Sequence, residues 1–346
     1  MKTLTGRGGS AIGLDIGSYS VKLVQLSPGG RSPRFLQGLE EEFFSPEEQG
    51  PDKVVEAIKK AYRRAGIKPG RGGRVVTSVS GSETAVKQVE FPLLSDEELH
   101  SSVPWQAKKH LPFESEEAVL DYQVLGKDRK SKTMSVLLAA VTNKHLDEHR
   151  QLLQKAGVEP VIIDLSPLAV MNAFLAVENM VEDKAVVVLD LGASKTILNM
   201  FSPGGLFFTR EIPISGHRLT TEVQHKLNVT YKEAEGIKRD GESNQKLMDI
   251  LKKPLNQLVF EIRRSLTYFE NRTGRKGFHK MYLTGGSARL ANLGRHLHDS
   301  LGISVDDLNP LKAVQVAAEQ KEHQAAAPQL TLALGLAIRG VGGKGV

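Results

Sequence analysis

The chain contains no cysteine. Disulfides, thiolate metal sites and cysteine nucleophiles are therefore excluded, and the absence suits a reducing compartment. Tryptophan occurs once. No stretch interleaves aromatic with basic residues, so the stacking-and-charge signature of a nucleic-acid binder is missing. No apolar run approaches the roughly 18 residues that span a bilayer. Residues 1–10 hold no apolar core, so no signal peptide is expected there. No Gly-Lys-Ser/Thr phosphate loop occurs, and no Gly-x-Gly-x-x-Gly joins a predicted strand to a helix, which argues against the P-loop and Rossmann folds.

What is present is ordinary globular material. The chain has 346 residues, of which 40% are apolar and 25% charged. That composition predicts packed cores in about two domains. The net charge of +6 is spread in small groups, such as Lys59-Lys60, Arg63-Arg64 and Lys252-Lys253. These read as solvated helix faces, with weak attraction to an anionic membrane surface as the alternative.

Along the chain, residues 11–16, 20–26 and 34–44 read as strands and 52–65 as an amphipathic helix stopped by Gly66. Residues 75–79 form another strand. A second strand–turn–strand–turn–strand unit covers residues 184–212. Asp15-x-Gly17 lies 12 residues before Ser27-Pro28-Gly29-Gly30, and Asp190-x-Gly192 lies 12 before Ser202-Pro203-Gly204-Gly205. Two signals in one register predict an internal duplication and two lobes.

Between the lobes the rhythm changes. A strand at 85–91 precedes a helix at 96–110, with Ser95 and Glu98 in a capping box and Pro104 set to kink or split it. Strands at 117–125 and 133–141 flank a polar tip at 126–132, and a helix at 144–156 stops at Gly157. Beyond the second unit, helices are predicted at 216–226, 231–239, 252–272, 288–301 and 329–338, with a strand at 280–284 and a frayed Gly-rich tail.

The glycine turns carry the chemistry. A nucleotide tail needs backbone N–H groups at close range, small hydroxyls and a carboxylate for its cation. Asp15-Ile16-Gly17-Ser18-Tyr19-Ser20 supplies these, and Asp190-Leu191-Gly192-Ala193-Ser194-Lys195-Thr196 supplies them again. Thr284-Gly285-Gly286-Ser287 feeds a strand into a helix start, where N–H groups lack partners. His145 and His149 are four apart on a helix and read as a solvated face; His296 and His298 point apart.

The order Asp15-x-Gly17, Asp190-x-Gly192, Thr284-Gly285-Gly286 resembles the phosphate 1, phosphate 2 and adenosine motifs of the actin/Hsp70/sugar-kinase superfamily. More narrowly, residues 13–24 (GLDIGSYSVKLV) resemble the opening of the PilM family, actin-like proteins of type IV pilus assembly. Ile214-Ser215-Gly216-His217, Glu233-Ala234-Glu235-Gly236-Ile237-Lys238 and the closing helix over 332–338 are similar too. The likeness runs from about Ile12 to Arg339.

The resemblance implies an α/β actin-like ATPase fold, two lobes on mixed sheets with flanking helices plus a small inserted α/β subdomain. Subdomain 1A would comprise 1–85 and 164–184, and the inserted 1C, shared with the cell-division relative FtsA, 86–163. Subdomain 2A would comprise 185–225 and 276–346, and 2B 226–275. ATP with Mg²⁺ is implied in the interlobe cleft. Asp15 and Asp190 would sit near the metal. Gly17, Ser18, Gly192 and Ser194 would grip phosphates, with Lys22 and Lys195 in the same motifs. Glu235 and Lys238 would approach the ribose or base, unless they form only an exposed ion pair, and Gly285, Gly286 and Ser287 would close over the adenosine. Actin-like relatives often place an acid just before a Pro in the connecting helix to activate water. Here that position is Ser166, with Asp164 two residues upstream, which implies tight binding with slow or no turnover.

The implied partner is the N-terminal tail of a PilN-like inner-membrane protein, lying extended between the inserted block and the first lobe, with the pilus motor ATPases as a further contact. The implied location is cytoplasmic, peripheral to the inner membrane through that partner. Two other functions compete. An FtsA-like filament protein is expected to end in a basic amphipathic helix, which the tail 340–346 cannot form. A sugar-type kinase needs a catalytic Asp at a substrate hydroxyl, and none stands out.

Overall fold

The computed structural model describes residues 9–29, 32–42, 50–180, 184–203, 205–240, 245–317 and 326–342. The predicted strand end at 43–44, Gly30 and Gly204 of the two Pro-Gly-Gly turns and the tail beyond 342 fall outside these.

The first lobe opens with β1 (Ala11–Ile16), β2 (Ser20–Ser27) and β3 (Arg34–Glu42), an antiparallel meander. Helix α1 (Pro51–Arg64) follows, and Gly66 adopts φ +66 just beyond it. Strand β4 (Arg74–Val79) then pairs parallel with β1. The chain leaves this sheet for β5 (Thr84–Pro92), α2 (Asp96–His110), β6 (Ala118–Asp128) and β7 (Thr133–Thr142). These strands form a separate three-stranded sheet in the order β5-β7-β6. Helix α3 (Asn143–Ala156) leads back to β8 (Ile162–Leu165), which completes the order β3-β2-β1-β4-β8. Leu153 and Ala156 of α3 join α1 and β1 in one buried cluster.

Helix α4 (Ser166–Val177) crosses to the second lobe. Its meander is β9 (Ala185–Leu191), β10 (Thr196–Ser202) and β11 (Leu206–Ile212). Helices α5 (Gly216–Leu227), α6 (Tyr231–Asp240) and α7 (Gln245–Thr273) precede β12 (Phe278–Thr284), then α8 (Leu293–Leu301), β13 (Val305–Asp307) and α9 (Thr331–Gly340). The sheet order is β11-β10-β9-β12-β13. Three antiparallel strands followed by two parallel ones thus occur in both lobes. Phe174 of α4 packs edge-on against Phe201 and Tyr282 where the lobes meet, joined by Val186 and Val188 from β9.

Several predicted bounds are corrected. Helix α2 runs unbroken through Pro104. The polar tip is shorter than expected, because β6 continues to Asp128 past a register shift near Gly126. Helix α7 starts at Gln245, well before Lys252, and carries Pro254 within it; the pyrrolidine reads in sequence as a start signal. The helix expected over 288–301 is a short 3₁₀ turn, Gly286–Arg289, followed by α8 after Asn292 turns left-handed at φ 64. The last helix is likewise a 3₁₀ turn, Ala327–Leu330, and then α9. Strands β8 and β13 are four and three residues long, too short for any periodicity to register.

Candidate functional site

A cleft of about 580 Å³ separates the lobes. Its walls come from the β1–β2 turn, the β9–β10 turn, the turn after β12, and helix α6. Asp15, Gly17, Ser18, Lys22, Asp190, Gly192, Ser194, Lys195, Glu235, Lys238, Gly285, Gly286 and Ser287 all line it. The sequence motifs therefore converge on one place.

The two hairpin turns have the same local geometry. The Gly17 N–H donates to the Ser20 carbonyl at 3.1 Å, and the Gly192 N–H to the Lys195 carbonyl at 3.0 Å. The Ser18 hydroxyl donates to Ser194 Oγ at 2.7 Å, so the facing turns touch across the cleft. Gly285 is locked by its surroundings. Its φ is +88, and a methyl there would fall 2.4 Å from Asp190 Oδ1, so no larger residue fits beside that carboxylate.

The charge balance is uneven. Lys22 Nζ lies 3.4 Å from Asp15 and 3.9 Å from Glu40. Glu40 also accepts from the Ser20 hydroxyl and from Gln329 Nε2. Three carboxylates, those of Asp15, Glu40 and Asp190, thus share the cleft with Lys22. Burial raises the Asp15 carboxyl, and Lys22 only partly offsets this. Burial pulls the Lys22 ammonium down, but Asp15 and Glu40 outweigh it and the net direction is up. Burial, joined by the charge of Asp15, pushes Asp190 up to about 7. Buried carboxylates that resist ionisation next to each other call for a further cation. Asp15 and Asp190 are hard oxygen donors, so the residues present fit a divalent ion such as Mg²⁺.

At the opposite wall, Lys238 of α6 is buried and contacts Glu235 at 2.7 Å and the Thr220 hydroxyl at 2.9 Å. The alternative of an exposed ion pair is thereby excluded. Burial lowers the Lys238 ammonium despite Glu235. Tyr231 OH contacts His217 Nδ1 beside them, and burial lowers His217 and raises Tyr231.

His145 and His149 do not form the solvated face expected of them. Both line the cleft, because α3 returns to the first lobe with that face turned inward. His149 Nε2 lies 3.3 Å from the Thr77 hydroxyl, and burial lowers it to about 4, so its ring is neutral at pH 7. Ser166 is buried, 3.0 Å from Ser78 Oγ, and both face the cleft. Asp164 turns away into a separate small groove and pairs with Arg339 at 2.5 Å. The stretch before Pro167 therefore sends a hydroxyl, not a carboxylate, into the cleft. Glu40, Gln329 and Ser78 were not legible as site residues; they arrive from neighbouring strands and helices with no motif of their own, and His217 lies in a family-like stretch that assigns it no role.

A glycine-turned cleft with paired carboxylates and lysines is built to hold a polyanion together with a cation. A model of the family described as type IV pilus assembly protein PilM matches residues 13–341. The chain belongs to the PilM family. Among solved structures, the PilM-PilN type IV pilus biogenesis complex is similar to this chain. The TM-score is 0.83 at 27% identity, covering 96% of this chain and 98% of that one. MreB 5 of Spiroplasma citri bound to AMPPNP shares the fold, with a TM-score of 0.53 at 12% identity over 94% of each chain. Cell division protein FtsA of Bacillus subtilis (strain 168) is 32% identical over 87 residues, 25% of this chain, and the match spans 19% of that relative's length. The actin-like architecture expected from the motifs is the one observed.

Proposed function

We propose that this PilM-family chain is an ATP-binding scaffold of the type IV pilus inner-membrane assembly complex. The observation that carries the ATP reading is the meeting of three separate glycine turns, two of them duplicated, around two half-buried carboxylates set deep in the cleft. Mg²⁺, held by Asp15 and Asp190, would neutralise the phosphate tail. Ser18, Ser194 and the turn glycines would bind the phosphates; Glu235 and Lys238, with Gly285, Gly286 and Ser287, would hold the nucleoside. Turnover is slow in this reading, because Ser166 cannot take a proton from water at neutral pH and Asp164 faces elsewhere. Closure of the lobes around ATP is then a population shift toward one conformer.

For the partner, we propose the extended N-terminal tail of a PilN-like protein. The inserted sheet offers β6 as an open edge, while β5 is engaged by β11 through Gln88 and the Phe207 N–H at 2.7 Å. A groove of about 190 Å³ runs beside β6 between the inserted sheet and the first lobe, with Val119, Leu137, Ala139 and Leu168 as apolar walls and Asp164 and Arg339 among its lining. An extended peptide gains affinity from edge hydrogen bonds and specificity from alternate pockets. No described helix is long and apolar enough to cross a membrane, so membrane proximity would come through this partner.

Calorimetry of ATP with Mg²⁺ tests the reading. The wild type is expected to bind and Asp15→Ala to lose at least about tenfold in affinity, about 1.4 kcal/mol. A synthetic PilN-type tail peptide should bind both proteins, since its groove lies apart from Asp15. Absence of ATP binding by the wild type would remove the central claim.

A further inference from the structure

The third strand of each meander carries one acid in register with the same strand-two position. Glu40 lies opposite Lys22, and Glu211 lies opposite Ile197. Glu211 reaches out of its own lobe. Its Oε1 accepts from Lys195 Nζ at 3.2 Å and from the Gly81 N–H, in the first lobe, at 2.8 Å. Gly81 sits at φ +121, and a methyl on it would meet Lys195 Nζ at 3.5 Å. Only glycine adopts that conformation cheaply.

Gly81 begins the turn from β4 into the inserted sheet. Its carbonyl accepts from the Thr84 N–H at 2.9 Å and the Thr84 hydroxyl at 2.8 Å. The next residues are tied to the point where β7 leaves that sheet for α3. The Thr142 N–H donates to the Glu83 carbonyl at 3.0 Å and its hydroxyl to the Glu83 carboxylate at 3.2 Å. Thr142 in turn caps α3, which carries His145 and His149. One carboxylate therefore joins the second phosphate turn to the root of the inserted sheet.

Glu235 and Lys238 of α6 line the cleft, as do Ser78, Ser80, His149 and Ser166 of the first lobe. Lys195 is held by Glu211, which also takes the N–H of Gly81, next to Ser80. An ammonium held there would meet the last phosphate of a chain whose nucleoside lies against α6. A terminal phosphate carries more charge than one carboxylate and competes for the same donor. Once Lys195 turns to it, Glu211 faces a phosphate with no counter-charge and is pushed from Gly81.

We propose that Lys195 and Glu211 sense the terminal phosphate. A nucleoside triphosphate, unlike a diphosphate, draws Lys195 from Glu211 and loosens the Gly81 turn that anchors the inserted sheet. This rests on the nucleotide reading above. It assigns Glu211 as a positioning residue that converts the identity of the nucleotide into the setting of the sheet that bears the partner groove.

Amide hydrogen exchange at residues 81–84 of the full chain, with AMPPNP or ADP and Mg²⁺, reads this directly. In the wild type these amides should exchange at least about fivefold faster with AMPPNP than with ADP. Glu211→Gln keeps an oxygen for Gly81 but no charge for Lys195, and should erase the difference. Lys195→Gln should erase it as well, which covers the case in which the first variant fails to fold. Equal exchange with the two nucleotides in the wild type would overturn the proposal, as would a difference that persists in a folded variant. Calorimetry on the same samples separates the two levels: if neither nucleotide binds the wild type, the reading of the cleft fails and this inference falls with it.

Discussion

The two lobes open with the same three-stranded meander, yet they treat their leading aspartate differently. Asp15 lies opposite Lys22 on the neighbouring strand, and Asp190 lies opposite Ile197 in the same register. Asp15 therefore has an ammonium 3.4 Å away. Asp190 has an apolar side chain in that place, and burial, joined by the charge of Asp15, raises its carboxyl to about 7. Five residues after each aspartate the exchange runs the other way. Ser20 donates to Glu40, whereas Lys195 donates to Glu211. The backbone of the duplicated unit is kept, while its cleft-lining lysine has moved from facing the aspartate to facing the third-strand acid. On our reading, the first lobe carries its own counter-ion and the second leaves a carboxylate to be satisfied by an added one.

The largest effect should come from breaking the first arrangement. Lys22→Met keeps the apolar stem and removes the charge. Glu40 retains Ser20 and Gln329, so the loss falls mainly on Asp15. Removing one partner of a buried pair costs about 3 kcal/mol, to be measured by urea unfolding at pH 8. The uncompensated carboxyls bind protons more readily in the folded chain than in the unfolded one, so the cost should shrink at pH 5. A cost that is equal at both values would mean that Lys22 serves packing and not charge.

The comparison also marks what was legible beforehand. The turns announced themselves, because Asp-x-Gly and Ser-Pro-Gly-Gly are local signals that need no partner. Lys22 and Lys195 came with the turns. Glu40 and Glu211 did not, because their place depends on strand register, and a slip of one residue would send either to the opposite face. The β2–β3 ladder indeed shifts between Gln25 and Leu26, which no alternation pattern foretells. His145 and His149 were recognisable as sharing a helix face, but which way that face points is set by the packing of Leu153 and Ala156 on α1. For Glu235 and Lys238 the spacing gave the pair, and only the fold gave its burial.

A smaller effect is expected from the second arrangement. The Asp190 carboxyl rises from its ordinary 3.8 to about 7 on folding. Between those values the folded chain holds a proton that the unfolded chain has released. Stability should therefore fall as pH rises from about 4 to 7 and level off above. Asp190→Asn removes the titrating group. Without metal or nucleotide, the variant should exceed the wild type by about 1 kcal/mol or more at pH 8, and the two should converge near pH 4. Added Mg²⁺ should raise the wild-type Tm at pH 8 more than that of the variant. Matching pH profiles would show that Asp190 ionises without strain.

The smallest change in stability, and the sharpest test of the comparison, is Ile197→Lys. It copies the first lobe's cation into the second at a position that is 4% exposed and lines the cleft. Losing the apolar side chain costs stability, while an ammonium opposite Asp190 restores some of it, so the net change should stay within about 1 kcal/mol. What should move is the titration of Asp190, followed through its carboxyl carbon by NMR. With the introduced ammonium in place, the charged form gains a partner and the midpoint should drop well below 7. Mg²⁺ should then bind more weakly, since the ammonium occupies the place the metal would take. An Asp190 that still titrates near 7 would mean that burial alone sets its value, and that the exchange of Lys22 for Ile197 between the lobes has no electrostatic consequence.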